Sequence, residues 1–477
     1  MKSKDHADVH LYPHSTAETD DTTFFLIRTP EGKRLVVRGD GRGFEGEEHG
    51  GSLLCPLTVP NAAALRERLP WLNPQPLGLK LSAGCGDRLG VATPGHIRSV
   101  RKSSSVAPIL AQQSMRENAR TGRSPQQVVD DAMWGVFQEG WREPWGADAD
   151  HLKSTADVDL CVAAGYTFFT VDPGDHVDNE AHNAPMDVLR GKVHELPWSD
   201  LADSPEQLHE RYLGIEFEVE GQALTFDETT LARAAAKYGW GIAHTARMYR
   251  HLAGSMGGRS FELEVSVDET ETPTSPQEHY FVANELRRLG VQWVSLAPRY
   301  VGRFEKGVDY IGDLEAFDLE MAKHAAIARA LGPYKLSIHS GSDKFSVYPI
   351  YARHAGKLVH LKTAGTSYLE ALRAIAGVDP ILFREILAFA RKHYEEDRVT
   401  YHVSAQHEKV PRPEDMADED LDEVLDLFDG REVLHVTFGS VLDRFGVELL
   451  AALDKNEEAH YAALEAHFDR HLAPFVD

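Results

Sequence analysis

The sequence predicts an α/β fold, and within that class a (β/α)8 barrel of the TIM type with a small β-rich N-terminal appendage and decorated loops. Three observations carry this. Short apolar strand-like runs recur from Leu77 onward, longer amphipathic helical patterns separate them, and no internal repeat marks a solenoid or propeller. An open doubly wound sheet is the alternative.

Residues 1–76 read as a separate β-rich region, because pieces such as TFFLIRT and RLVVRG are joined by Gly- and acid-rich turns and the stretch closes on the Pro-punctuated WLNPQPLG. Residues 77–477 then form the barrel and its C-terminal helices. Eight strands are expected: LGLKLS (77–82), TFFTVD (167–172), FELEVSVD (261–268), VQWVSLAP (291–298), YKLSIHS (334–340), KLVHLK (357–362), TYHVSA (400–405) and VLHVTF (433–438). A ninth candidate, GADADHLK (146–153), spoils the count. Between them lie helices such as SPQQVVDDAMWGVFQEGW, opened by Ser124 with Pro125 in the first turn, and DPILFREILAFARKHYEEDR, whose apolar residues recur at steps of three and four.

The chain of 477 residues carries a formal charge of −25, which repels phosphate backbones and anionic lipids, and no local basic cluster overrides that field. Nucleic acid and membrane are therefore not expected partners. The N-terminus lacks the apolar core of a secretory signal, and no apolar run approaches the roughly 18 residues of a membrane span. The three cysteines form no CxxC pair, so the cytoplasm is the simplest location.

Strand parity is the most informative pattern. Side chains alternate faces along a strand. In FELEVSVD, Leu263, Val265 and Val267 oppose Glu262, Glu264, Ser266 and Asp268; in YKLSIHS, Leu336 and Ile338 oppose Ser337 and His339. KLVHLK sets Val359 and Leu361 against His360 and Lys362, and TFFTVD sets Phe169 and Val171 against Thr170 and Asp172. TYHVSA and VLHVTF place His402 and His435 in the same way. Either these strands have one face in water, or the polar set lines a barrel and surrounds an ion and a polar substrate at its C-terminal mouth.

The loops after the strands carry the candidate chemistry. DPGDHVDN (172–179) offers Asp172, Asp175, His176 and Asp178 on a Pro-Gly turn, readable as an acidic surface loop or as groups that ligate a cation and move a proton. SVDETETPTSP (266–276) adds Asp268 and Glu269, with Glu271 open to a solvated reading. HSGSDK (339–344) supplies His339, Ser342, Asp343 and Lys344, and LKTAGTS (361–367) follows His360 and Lys362. One inward histidine is usually a satisfied core residue, but four of one parity are more simply explained by a shared metal site that need not use them all. The glycines of SAGCGDRLG miss the GxGxxG spacing by one residue, which disfavours nucleotide binding. Arg88, Arg299, Arg303, Lys344 and Lys362 are candidate clamps for an acidic substrate.

GCGDRLGVATPGHI, GYTFFTVDPGDHVDN, SVDETETPTSPQEHYF, SLAPRYVGRFEKGVDYIGDL, GPYKLSIHSGSDKFSVYPI and LVHLKTAGTSYLEALR, in this order, resemble the tagaturonate epimerase family from about Leu77 to about Phe445. The resemblance implies an isomerase that interconverts tagaturonate and fructuronate with a divalent cation such as Zn, Mn, Ni or Co, acting on a small ketouronate. Self-association into a homo-oligomer stays open. With the parity pattern it suggests His176, His339 and His360 as metal ligands, with Asp172 in reserve, Asp175 as proton acceptor, and Glu269 as proton donor with Asp268 close behind. Ser342, Asp343, Lys344 and Lys362 would position the substrate. A metal-dependent aldolase and a non-catalytic sugar-acid binding protein are the rival readings.

Overall fold

The computed structural model describes residues 10–19 and 21–476. Eight parallel strands close into a barrel in chain order: β1 (Ser82–Gly84), β2 (Ala107–Ser114), β3 (Gly146–Leu152), β4 (Phe168–Val171), β5 (Glu262–Ser266), β6 (Ser295–Ala297), β7 (Lys335–Ile338) and β8 (Val359–Lys362). Helices run between successive strands, as parallel neighbours require. Among the described residues no helix is long and apolar enough to cross a membrane.

Five of the expected runs supply strands; LGLKLS meets the first barrel strand only at Ser82, with Gly78–Lys80 in a turn, and the other two form none. TYHVSA follows a short 3-10 turn (Arg398–Thr400) and forms no strand, while VLHVTF is largely the end of a helix, Phe428–Val436. Glu432, Val433, Leu434, His435 and Val436 are all buried, so this segment is enclosed on every side and its alternation does not mark two faces. His402 is exposed and His435 sits on that helix, where its Nε2 lies 3.2 Å from Arg88 Nη2. Neither histidine belongs to a barrel strand. The missing places are taken by β3, the ninth candidate, and by β2, APILAQQS, which is buried along its whole length and therefore shows no alternation.

The N-terminal region is β-rich, as expected, and its strands are antiparallel: Thr22–Thr29 pairs with Gly32–Arg38, which pairs with Ser52–Cys55. Two compact units emerge. One joins the N-terminal sheet to Cys85–Ala147 and Ala364–Leu472; the other is Pro76–Gly84 with Asp148–Thr363 and the residues from Ala473 on. In the first, Leu369, Leu372, Phe383, Ile386, Leu434 and Phe438 belong to a buried helical core. The second holds the polar interior.

Helix ends in the second unit follow sequence rules. Ser275 caps Pro276–Arg288 through a capping box with Glu278, and Asp227 caps the long helix Glu228–Met256. Lys237, buried on that long helix, donates to Pro273 O at 3.0 Å and pairs with Glu278 at 3.3 Å, which fixes the loop after β5.

Candidate active site

A bulge in β3 starts the site. The register against β4 runs Phe169 with Ala149 and then Val171 with Leu152, so one extra β3 residue is inserted. His151 adopts φ +51° there, a left-handed conformation unusual for a residue with a Cβ. As a result Asp150 and His151, neighbours in sequence, both reach the barrel interior. Asp148 lies on the same strand, and the inward parity of the other strands adds Thr170, Asp172, Glu264, Ser266, His339, His360 and Lys362.

Lys362 is the buried centre of this cluster. Its Nζ lies 2.9 Å from Asp148 Oδ2, 2.7 Å from Asp150 Oδ1 and 2.8 Å from Glu264 Oε1, and it donates to Thr170 Oγ1 at 2.7 Å. Burial opposes its charge, but the three carboxylates hold its pKa well above the usual lysine value. The same attraction, against burial, keeps Asp150 and Glu264 ionised at lower pH than usual.

Above Lys362, His151 Nε2 and His339 Nδ1 face one another at 3.2 Å. Each imidazole is held from behind by a buried carboxylate: His151 Nδ1 by Asp172 at 3.2 Å, and His339 Nε2 by Glu264. Asp268 Oδ1 lies 3.2 Å from His339 Nδ1, and Asp150 Oδ1 lies 3.8 Å from His151 Nε2. Burial disfavours imidazolium, yet Asp150, Glu269 and Asp172 push His151 up to about 10, and Asp268 and Glu264 push His339 up to about 9 against burial and Lys362.

This donor set fits a divalent cation. Ligand atoms of Asp150, His151 and His339 lie within 4.8 Å of one another, as do those of His151, Asp172 and Glu269. A carboxylate behind each imidazole is the usual support of a metal-binding histidine, since it fixes the ring and its tautomer. Glu264 Oε2, fully buried, makes no hydrogen bond among the described residues, so negative charge here exceeds its partners.

Of the residues expected from sequence, the structure brings His339, Asp172, Asp268 and Glu269 to this focus, with Lys362 beneath it. It does not bring His176 or His360. His176 stacks on His244 with ring centroids 4.1 Å apart, and His360 lies deeper, its Nδ1 3.0 Å from Ser82 Oγ and its ring against Phe168. Asp175 is 68% exposed and pairs with Lys153 at 2.8 Å, one ion pair outward of Asp172. Ser342 and Asp343 are buried in the turn after β7. Lys344 donates to Glu305 O at 2.7 Å, to Val308 O and to Ser342 O at 3.0 Å, so it braces a loop and presents no charge at the mouth. Sequence reasoning missed Asp150 and His151. Their signal was present, an acidic run ending in histidine within GADADHLK.

The chain is similar to known proteins over nearly its whole length. The family model for tagaturonate epimerase matches residues 12–475. A tagaturonate/fructuronate epimerase of Thermotoga maritima is 45% identical, with 98% of each chain covered. A crystal structure of fructuronate-tagaturonate epimerase from Cohnella laeviribosi superposes with a TM-score of 0.94 at 40% identity, covering 98% of this chain and 96% of that one. A glycerol-complexed structure of the same epimerase gives a TM-score of 0.93.

Proposed function

The chain belongs to the tagaturonate epimerase family, and on that premise we propose that its barrel interconverts D-tagaturonate and D-fructuronate by retro-aldol cleavage and re-addition, with a divalent cation held by His151 and His339. The convergence of these two carboxylate-backed imidazoles is the observation that carries the reading. Asp150 and Asp268 complete the ligand set from either side.

The two ketouronates differ at the carbinol carbon β to the ketone. Its C–H is not acidified by the carbonyl, so direct deprotonation is a poor route. Cleavage of the bond between the α and β carbons avoids it: the hydroxyl proton leaves, the bond electrons form an enediolate on the ketone fragment, and the hydroxyl carbon becomes an aldehyde. Rotation of the aldehyde and re-addition on its other face gives the epimer with all atoms retained. When bound, a cation here supplies Lewis acidity toward the ketone oxygen.

The protein's own groups do the rest. Glu269, at the mouth beside His151 and Asp172, takes the hydroxyl proton and returns it after re-addition. Asp268 is pinned by His339 and by the Ser266 hydroxyl, which suits a ligand better than a proton carrier. Lys362 holds Asp148, Asp150 and Glu264 in place below the reacting carbons, and the Ser342–Asp343 turn forms part of the wall.

The test is metal analysis of purified protein and epimerisation of tagaturonate before and after chelation, with His339→Ala alongside. Loss of both metal and turnover supports the reading. Full activity in a metal-free sample contradicts it, and release of the two fragments without epimer identifies an aldolase instead.

A further inference from the structure

A substrate with a terminal carboxylate must find a cation at a barrel mouth above the buried Asp148, Asp150, Asp172 and Glu264, with Asp268 beside them. Most cations of the barrel unit near this mouth are already committed. Lys362 is surrounded by three carboxylates, Lys153 pairs with Asp175 at 2.8 Å, Arg303 pairs with Glu305 at 3.0 Å, and Lys344 is spent on backbone carbonyls.

Arg299 and Lys306 differ. Arg299 lies two residues beyond the C-terminal end of β6, between the strands that carry Asp268 and His339. It is half-buried, and Nη1 donates to Tyr300 O at 2.8 Å. Lys306 donates from Nζ to Ser340 Oγ at 2.6 Å, beside His339. Among the described residues neither side chain has a carboxylate oxygen within 4.0 Å. In a chain with 75 acidic against 50 basic residues, unpaired cations at a buried acidic mouth need a reason. Withdrawing a guanidinium from water without a paired anion is costly: burial lowers the pKa of Arg299, and Asp268 and Tyr310, acting from beyond ion-pair distance, offset this only in part.

Both are also held in place. The Arg299 backbone N donates to Thr274 Oγ1 at 3.1 Å and its carbonyl accepts from Thr274 N at 2.7 Å. Arg303 and Ile311 exchange backbone hydrogen bonds at 2.9 and 3.1 Å, closing the loop that carries Lys306, while Lys344 braces that loop at Glu305 and Val308. Such pre-organisation lowers the entropy lost on binding.

We propose that Arg299, assisted by Lys306, receives the terminal carboxylate of the substrate and so selects ketouronates over neutral ketoses. This rests on the epimerase reading above and adds to it the residues that read the acid group. The carboxylate lies away from the bond that breaks, so these side chains act on binding more than on the chemical step.

The experiment compares the wild type with Arg299→Gln, Arg299→Lys and Lys306→Met, each checked for an unchanged melting temperature. It measures kcat and KM for tagaturonate and competitive inhibition by D-gluconate and by uncharged D-sorbitol. For Arg299→Gln, KM and the gluconate inhibition constant rise together by about tenfold or more, the loss expected for a charge-assisted hydrogen bond, while kcat and the sorbitol constant stay within about threefold. Arg299→Lys falls between, and Lys306→Met shows the same pattern more weakly. An unchanged KM, or equal weakening of gluconate and sorbitol, overturns the assignment. A wild type inert toward tagaturonate would instead remove the epimerase reading, and preference for gluconate over sorbitol would still decide the role of Arg299.

Discussion

His151 Nε2 and His339 Nδ1 stand 3.2 Å apart although they come from strands on different sides of the barrel, and both rings carry raised pKa values, about 10 and about 9. At that distance one nitrogen donates and the other accepts, and Asp150, Asp172, Glu264 and Asp268 surround the pair and favour its protonation. On the proposed reading, a divalent cation would replace the proton they share and take over the carboxylates.

Cation uptake is therefore expected to release protons into the solvent. Titrating metal-free protein with zinc or manganese at pH 7 in two buffers of different ionisation enthalpy should show this release as a buffer-dependent heat, and His151→Ala should abolish the high-affinity phase. A buffer-independent heat, or wild-type affinity in the variant, counts against ligation by His151.

Lys362 is the second test. Replacing it by Met leaves Asp148, Asp150 and Glu264 buried without their common cation, and breaking a buried ion pair in this way costs about 3 to 5 kcal/mol. The metal-free variant should unfold at markedly lower denaturant than the wild type. The double variant Lys362→Met with Asp148→Asn should recover part of the loss, because one orphaned charge is removed; additive losses would show that the lysine does not act through these carboxylates.

Asp175 and Glu269 separate two readings of the proton carrier. Asp175 is mostly exposed and tied to Lys153, whereas Glu269 joins His151 and Asp172 within ligand distance. Asp175→Asn should alter kcat by no more than about threefold, and Glu269→Gln should lower it by about 100-fold or more, the usual contribution of general acid–base catalysis. The reverse order would return Asp175 to the role its loop position suggests.

The sequence pattern reaches much of this site and fails for definable reasons. Parity correctly turns Glu264 and Lys362 inward because β5 and β8 are regular there, and it carries over to His339, one residue past the end of β7. It cannot find His151, since the bulge in β3 breaks the two-residue period where Asp150 and His151 both turn inward. Parity also cannot give depth. His360 is inward as expected, but one layer below the imidazole pair, and depth follows from strand stagger that a single strand does not encode. β2 escapes because a strand buried on both faces has no alternation to detect. VLHVTF deceives because a fully buried helix segment and an alternating strand can share one short apolar pattern.

Acid stability depends on a buried histidine pair remote from the barrel mouth. His279 and His324 come from adjacent helices, Pro276–Arg288 and Leu314–Leu331, and their Nδ1 atoms lie 2.8 Å apart, while His279 Nε2 meets Tyr334 OH at 2.8 Å. One Nδ1 must accept where the other donates, so at least one ring is neutral. Burial first, and then the neighbouring ring for His279 and Lys323 for His324, push His279 well below 6.5 and His324 to about 3. The unfolded chain, with ordinary histidines, therefore takes up protons before the native state does. Stability contributed by the neutral rings is complete above pH 6.5 and declines as the pH falls toward the native pKa, by about 2 kcal/mol per ring at pH 5. His151 and His339, whose pKa values are raised, act in the opposite direction in metal-free protein, so the wild-type curve alone is ambiguous. The difference between wild type and His324→Gln cancels them. Urea midpoints from pH 5 to 7.5 should converge toward acid, the variant losing less stability than the wild type. Parallel curves would mean that His324 is not buried as a neutral imidazole.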